Sequence, residues 1–447
     1  MENMIHNNKM DITFLQLGDG PALRGFLDVF IDRINAAQDK SIIGVAVVPV
    51  DSRARLLHVQ GDGRYATYST GSRKSLHSPE EREVTSIRRT IDSANWEEVL
   101  LMANEPALEW IFTDVSNMPA APSKGDNPEN PRSLAGWVAS FLHQRYRIGY
   151  SGMKVVCCEN IRSNAQLLHA AVRALSENWG YDTDFLRWLD NEIQFITTYI
   201  MRNSMFAAQR DDGKEKFILV TEGFNKWWVE LKTLPPLLEK IQKAGADIIQ
   251  SATWKEYEQY AYLWKLTYLS VSMLSRALNS ESIPSAMQDQ DIRSLMAHVL
   301  MGGVLPLFHM EGNKGLEIVA ECFERLENQF YALNQSPDTA EAVDIMKNVL
   351  LPAILYQNRL GKGHQQLTAL MALILMELIA YKEDERLHAL SCDMEPEMLA
   401  YAILSDESLW GENVREIDGI HEELTKAFRD LQLLGIRETI KQSLPKA

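Results

Sequence analysis

Apolar and polar positions follow two regimes along the chain. Over the first 165 residues, short apolar runs alternate with stretches of helical period. Segments 12–17, 42–50, 110–115 and 154–158 read as strands, and 97–103 and 134–146 as helices between them. That alternation predicts a parallel sheet wrapped by helices. Segment 56–70, which carries Gly61-Asp-Gly63, reads as a hairpin inserted after the second strand, and 119–131, with four prolines, as a surface loop. Residues 165–200 read as helical, with Leu167, Leu168, Ala171, Val172 and Leu175 on one face, and 217–220 and 227–231 as two further strands. Beyond about residue 252, segments 257–278, 292–302, 314–328, 340–361, 365–381 and 417–434 all place apolar residues at i, i+3, i+4 and i+7. The expected fold class is α/β plus all-α: a Rossmann-type domain over 1–252 followed by an all-helical domain over 253–447.

The first strand breaks at Gly18-Asp-Gly20, after which Leu23, Phe26, Leu27 and Phe30 recur at helical spacing. Two glycines there allow a tight bend and close backbone approach, and the free N–H groups of a helix N-terminus suit a pyrophosphate. The second strand ends at Asp51, where a dinucleotide-binding fold presents an acid to the ribose 2′-hydroxyl. Arg53, two residues later, suits a 2′-phosphate, so the pattern favours NAD and leaves NADP open. Ligands of such sheets bind beyond the carboxyl ends of the strands. A cleft between the domains is therefore the expected site, with chemistry supplied by the first helix of the second domain.

Composition narrows the class. An apolar share of 46% with ten tryptophans describes large cores, and a formal charge of −16 argues against nonspecific binding to nucleic acid or anionic membranes. Cys157, Cys158, Cys322 and Cys392 form no Cys-x-x-Cys pair, and His169, His298, His309 and His364 have no ligand spacing, so neither disulfides nor a metal is expected. Residues 1–10 are polar, and the longest apolar stretch, around 367–379, is too short to span a bilayer. A cytoplasmic protein acting on a small molecule is the expectation.

Several motifs in order carry a family resemblance. Gly18-Asp-Gly-Pro-Ala-Leu-Arg24-Gly-Phe26, Gln60-Gly-Asp-Gly-Arg-Tyr65-Ala-Thr67, Thr113-Asp-Val-Ser-Asn117, Cys157-Cys-Glu-Asn-Ile-Arg-Ser-Asn164, Trp179-Gly-Tyr-Asp-Thr-Asp-Phe185-Leu-Arg-Trp188 and Glu222-Gly-Phe224-Asn-Lys-Trp227 follow one another along the chain. Together with Ser285-Ala-Met287 and Val349-Leu-Leu-Pro352, this series resembles the long-chain mannitol dehydrogenase family, and within it the tagaturonate reductase (altronate oxidoreductase) branch. The resemblance implies an NAD-dependent oxidoreductase that interconverts a sugar-derived ketone, a keto-uronate such as tagaturonate or a ketose, with its alcohol.

The departures from that pattern fall in the site. The family's Lys-x4-Asn-x2-His motif supplies a proton carrier and groups that hold the developing alkoxide. Aligned on Lys265, this chain has Ser270 and Met273 at the asparagine and histidine positions. Counted back from Ser285-Ala-Met287, the three positions become Tyr260, Lys265 and Tyr268. A Val-Asp-Arg segment becomes Ile200-Met-Arg202, whereas Asn164 matches an asparagine that helps to hold the substrate oxygen. The resemblance thus makes Lys265, Asn164 and Ser270 the candidate catalytic residues. Gly18, Gly20, Leu23, Arg24, Asp51 and Thr113 are the candidate cofactor-binding residues. The rival reading is a catalytically degenerate homologue that keeps the scaffold and nucleotide binding as a binding or regulatory protein. A third is an oxidoreductase with a new substrate and proton carrier.

Overall fold

The computed structural model describes residues 11–38, 41–49, 64–69, 80–115, 122–211, 214–310, 312–328, 339–382, 384–415, 417 and 419–445. The chain divides into two compact units, Met1–Tyr257 and Glu258–Ala447.

The first unit holds strands β1 (Ile12–Gly18), β2 (Ile43–Val48), β3 (Tyr65–Ser69), β4 (Glu80–Val84), β5 (Ile87–Asp92) and β6 (Trp110–Asp114). It continues with β7 (Lys154–Cys157), β8 (Gln194–Met201), β9 (Ser204–Asp211), β10 (Lys214–Thr221), β11 (Lys226–Val229) and β12 (Asp247–Gln250). Its helices are α1 (Asp28–Ala36), α2 (Trp96–Leu101), α3 (Leu134–Ile148), α4 (Asn164–Asn178), α5 (Thr183–Glu192) and α6 (Pro236–Lys243). One sheet has the order β12-β11-β8-β7-β6-β1-β2-β5. From β5 to β8 all neighbours are parallel, and β11 joins β8 antiparallel. Read from β5, this is the doubly wound order 3-2-1-4-5-6, whose direction reverses between β1 and β6.

Each face of the sheet is covered. Leu15, Leu17, Val45, Val47, Ile111 and Val155 point to one side, with Val99 of α2, Trp137 and Phe141 of α3 and Val172 of α4. Phe14, Ala46, Phe112 and Val156 point to the other, with Phe30 of α1 and Leu238 and Ile241 of α6. Strands covered on both faces read as continuous apolar runs, which is why the sequence marks β1, β2, β6 and β7 within a residue or two at each end.

Two regions depart from the sequence reading. Segment 165–200 is helical only through α4 and α5, and Gln194–Met201 is the sixth parallel strand. Its Ile196, Thr197, Thr198 and Ile200 are β-branched residues that fit a pleated surface. The hairpin expected at 56–70 falls largely outside the described residues. Its last part, β3, pairs antiparallel with β4 and parallel with β10 in a second sheet of order β4-β3-β10-β9. Strands β4 and β5 carry Glu-Glu-Arg-Glu-Val and Ile-Arg-Arg-Thr-Ile-Asp. Edge strands bury one face only, so neither stands out by apolarity.

A buried polar cluster ties α1 to β1 and β3. Asp28, fully buried, accepts from Gln16 Nε2 and from the Tyr65 hydroxyl at 2.7 Å. Burial pushes its carboxyl up to about 7, against the opposing effects of Tyr65, Arg24 and Gln16. The folded chain therefore holds this proton more tightly than the unfolded chain, and the associated stability is complete below about pH 4 and lost as pH rises through 7. Asp28→Asn is expected to stabilise the protein at pH 8 by up to about 4 kcal/mol relative to wild type, and to bring a much smaller gain at pH 5. Thermal melts at the two pH values check this; an equal difference at both would contradict it.

The second unit is helical. Two of its helices contain π-helical stretches, Val299–Val304 and Met346–Leu350, and each includes the residue four positions before a proline, Pro306 or Pro352. Proline lacks an N–H and its ring collides with the carbonyl four residues back, so the backbone widens there. The carbonyl of Gly302, left without its helical donor, accepts from buried Gln357 Nε2 at 2.7 Å. Among the described residues no helix is long and apolar enough to cross a membrane.

Candidate functional site

The reversal point of the sheet gathers the ends of β1, β6 and β7. Gly18 has φ +123° and is registered opposite Asp114 of β6. A Cβ at Gly18 would lie 2.1 Å from the Asp114 carbonyl oxygen, and one at Gly20 would lie 1.9 Å from the Asp114 carboxylate. Close approach therefore requires glycine at Gly18, against backbone, and disfavours a side chain at Gly20 as long as the Asp114 side chain keeps this position.

The helix that follows starts at Pro21 and passes through a π-helical turn, Leu23–Leu27, into α1. Its N-terminal donors are engaged within the chain. Pro21 has no N–H. The Ala22 N–H donates to Asp114 Oδ2 at 2.8 Å, and those of Leu23 and Arg24 reach the Gly20 carbonyl at 3.2 and 3.3 Å. The Gly20 N–H donates to the Asp114 carbonyl at 2.9 Å. The turn thus holds an acidic side chain against its helix N-terminus, the position at which such turns hold an anion. Burial holds the Asp114 carboxyl well above the usual range, and the neighbouring acids Glu159 and Asp19 push the same way, while the Ala22 N–H opposes them.

The sequence-derived candidates take these positions. Leu23 is fully buried in the core beneath the sheet. Arg24 is 1% exposed, with its guanidinium 5.8 Å from the centre of the Tyr65 ring. Thr113 is buried and donates to Glu159 Oε2 at 2.9 Å. Asp51 and Arg53 lie outside the described residues, as do Gln60 to Gly63 and Asn117.

Asn164 opens α4, and the preceding Ser163, in the left-handed region at φ 57°, occupies the cap position without a side-chain bond. The Asn164 amide instead grips backbone: Nδ2 donates to the carbonyls of Cys157, Glu159 and Thr198 at 3.1, 2.7 and 2.8 Å. Its Oδ1 is buried and has no partner among the described residues. The amide therefore ties the loop after β7 to β8 and keeps one acceptor available. Ser163 is a strained non-glycine residue whose N–H donates to the Tyr199 hydroxyl at 3.3 Å, and strain of this kind concentrates at functional loops.

Helix α7 (Trp254–Ala277) carries the remaining candidates. Lys265 Nζ pairs with Glu341 Oε1 at 3.0 Å and is half-exposed. Ser270 is fully buried, and its Oγ has no partner among the described residues. Five residues separate the two, so they lie about 140° apart around the helix. Tyr260, the alternative at the lysine position, is buried and donates to Glu321 Oε2 at 3.1 Å. Burial raises its phenol well above the usual range, which makes it a donor and not a base at neutral pH. Among the described residues, no group of three or more His, Cys, Asp or Glu is placed to hold a metal.

Asp114 and Glu159 are the site residues that sequence reasoning did not single out. The available signal was an acid at the end of a strand that is apolar but for Thr113, Trp110-Ile-Phe-Thr-Asp114, since unpaired acids are rarely buried.

Comparisons with known proteins bear on this arrangement. A family model described as the mannitol dehydrogenase Rossmann domain matches residues 12–241. Altronate oxidoreductase of Klebsiella pneumoniae is 21% identical over 96% of this chain and 96% of its own length, and that of Bacillus subtilis is 21% identical over 98% and 96%. Among solved structures, a substrate-free D-sorbitol dehydrogenase aligns with a TM-score of 0.72 at 16% identity over 96% of this chain and 95% of its own. Pseudomonas fluorescens mannitol 2-dehydrogenase, in a ternary complex with NAD and D-mannitol, aligns with a TM-score of 0.63 at 15% identity over 97% and 94%. The doubly wound sheet with a helical second unit is the fold these structures share.

Proposed function

The chain belongs to the mannitol dehydrogenase family, and on that premise we propose that it is a nicotinamide-dinucleotide-dependent oxidoreductase interconverting a sugar-derived ketone, a keto-uronate such as tagaturonate or a ketose, with its alcohol. The carrying observation is the glycine turn at the sheet's reversal point, where Gly18 and Gly20 leave no room for a Cβ. Relatives named altronate oxidoreductase over nearly the whole chain support the sugar-acid substrate class. NAD is the favoured cofactor, and when bound it supplies the hydride acceptor or donor.

In this reading Gly18, Gly20, Leu23 and Arg24 shape the pyrophosphate turn, and Asp51 engages the ribose. Thr113, near the end of β6, orients Glu159 of the loop after β7. The second unit, from the start of α7 onward, bears the substrate chemistry. Lys265 moves the proton of the substrate hydroxyl, for which it must exchange Glu341 for substrate. Asn164 offers Oδ1 as an acceptor for a substrate hydroxyl, because its two protons are held by three carbonyls. Ser270 supplies a buried hydroxyl from the same helix.

The test is NADH binding followed by tryptophan quenching, repeated with NADPH, and then a turnover screen over keto-uronates and polyols. Lys265→Met is expected to lower turnover by roughly 10²–10⁴-fold while leaving NADH affinity unchanged. Its half-exposed ion pair contributes below about 1 kcal/mol, so the melting temperature should move little. Turnover retained in Lys265→Met would remove Lys265 as the proton carrier. Absence of turnover on every substrate, with NADH still bound, would support the second reading, a scaffold that kept nucleotide binding and lost the chemistry. That reading is favoured by the Lys265–Glu341 pair and by the absence of an asparagine and histidine after Lys265.

A further inference from the structure

We propose that the Asp114 side chain occupies the place where a dinucleotide's pyrophosphate would be held, and that it sets nucleotide affinity because it must turn away before the nucleotide binds and opposes binding further when ionised. This rests on the dinucleotide-binding reading above and goes beyond it by assigning a residue that works against binding.

Three observations place the carboxylate in the seat. It accepts the Ala22 N–H at 2.8 Å, the donor that the helix N-terminus would otherwise present. It lies over Gly20, where a Cβ would come within 1.9–2.4 Å of three of its atoms, so it fills the space that the missing side chain leaves for phosphate. The neighbouring donors provide no alternative, because Pro21 has none and the N–H groups of Gly20, Leu23 and Arg24 are engaged by carbonyls. A phosphate cannot share this position with a carboxylate: the two compete for one donor and repel each other in a buried setting.

Several groups face Asp114. The turn contributes Asp19 and the Ala22 N–H, and the loop after β7 contributes Glu159 and the Cys158 thiol, whose ionisation Asp114 and Glu159 both oppose. The two charged neighbours are acids, and both keep the Asp114 proton on. The protonated form does not repel phosphate, and its O–H can donate to it. Nucleotide affinity in the wild-type protein should therefore fall as pH rises and Asp114 ionises. Asp114 is the last residue of β6, so its side chain can rotate outward without breaking the register of Gly18 on Asp114.

The experiment compares wild type, Asp114→Asn and Asp114→Ala in full-length protein, with NADH, ADP and adenosine as probes. Binding is read by fluorescence and calorimetry at pH 6, 7.5 and 9. Asp114→Asn keeps the shape and an oxygen for the Ala22 N–H, so it tests charge without removing the cap. Asp114→Ala removes both. At pH 9 both variants are expected to bind NADH and ADP roughly tenfold or more tightly than wild type, the scale of one relieved like-charge contact in a desolvated site, and the margin should narrow at pH 6. Adenosine, which has no phosphate, should bind all three equally. Wild-type affinity for ADP should weaken between pH 6 and 9, and that of Asp114→Asn should change far less. Binding that appears only in the variants would also support the proposal. Measurable and equal NADH affinity in all three proteins would overturn it while leaving the dinucleotide reading intact. No binding of NADH or ADP by any of them, with melting curves showing folded protein, would overturn both.

Discussion

Gly18→Ala is expected to destabilise the first unit by about 3–5 kcal/mol, a drop in melting temperature of roughly 10 °C, and to abolish nucleotide binding. Two costs add at this position. The backbone sits at φ +123°, which a residue with a Cβ adopts only under strain, and the added carbon would meet the Asp114 carbonyl oxygen at 2.1 Å and its carbon at 2.7 Å. Those atoms belong to β6, which is hydrogen-bonded to β1 on one side and β7 on the other, so they cannot yield without distorting the sheet's centre. Gly20→Ala serves as the control. Its Cβ would strike the Asp114 carboxylate, the free end of a side chain that can rotate away, so the loss of stability should be clearly smaller. Melting curves of the two variants decide the matter, and equal losses would mean that the sheet's reversal point is more pliant than this packing implies.

Asn164→Asp should cost about 4 kcal/mol or more at pH 7.5, or leave the chain unable to fold. The wild-type amide donates to three carbonyls, whereas an ionised aspartate would present a second acceptor to all of them in a buried position. The loss should shrink at low pH, where the acid takes up a proton and regains one donor. Asn164→Ala, which leaves the carbonyls unpaired but adds no repulsion, should cost less, about 2–3 kcal/mol. The comparison also tests the proposed substrate contact, since only Oδ1 is available and Asn164→Ala removes it. A higher KM on top of the lost stability would support a role in binding. An unchanged KM in soluble, folded Asn164→Ala would make the residue purely a tie between β7, β8 and α4.

Much of the first unit could be read directly from sequence because its central strands are covered on both faces. Runs such as Ile43-Gly-Val-Ala-Val-Val48 have no polar face to dilute them, and the turn at Gly18 and Gly20 stands where such a run stops. The helical second unit was similarly legible from its apolar period. Strands β4 and β5 were not, because edge positions bury a single face and admit arginine and glutamate. Gln194–Met201 was missed because it follows two true helices without a glycine or proline to mark the change.

The site divides in the same way. Sequence determined the positions that need glycine, the identity of Asn164 and the lack of an asparagine and histidine after Lys265, because these are properties of residue type and spacing. Only the tertiary structure decided what those residues touch: that Asp114, ninety-two residues from Ala22, caps the turn, that the Asn164 amide spends both protons on backbone, and that Lys265 faces Glu341. The physical reason is range. Local conformation follows from steric limits and periodicity within a few residues, whereas the partner of a charge or an amide is fixed by which strands lie side by side. In this chain that adjacency follows from β6 pairing with β1 across more than ninety intervening residues.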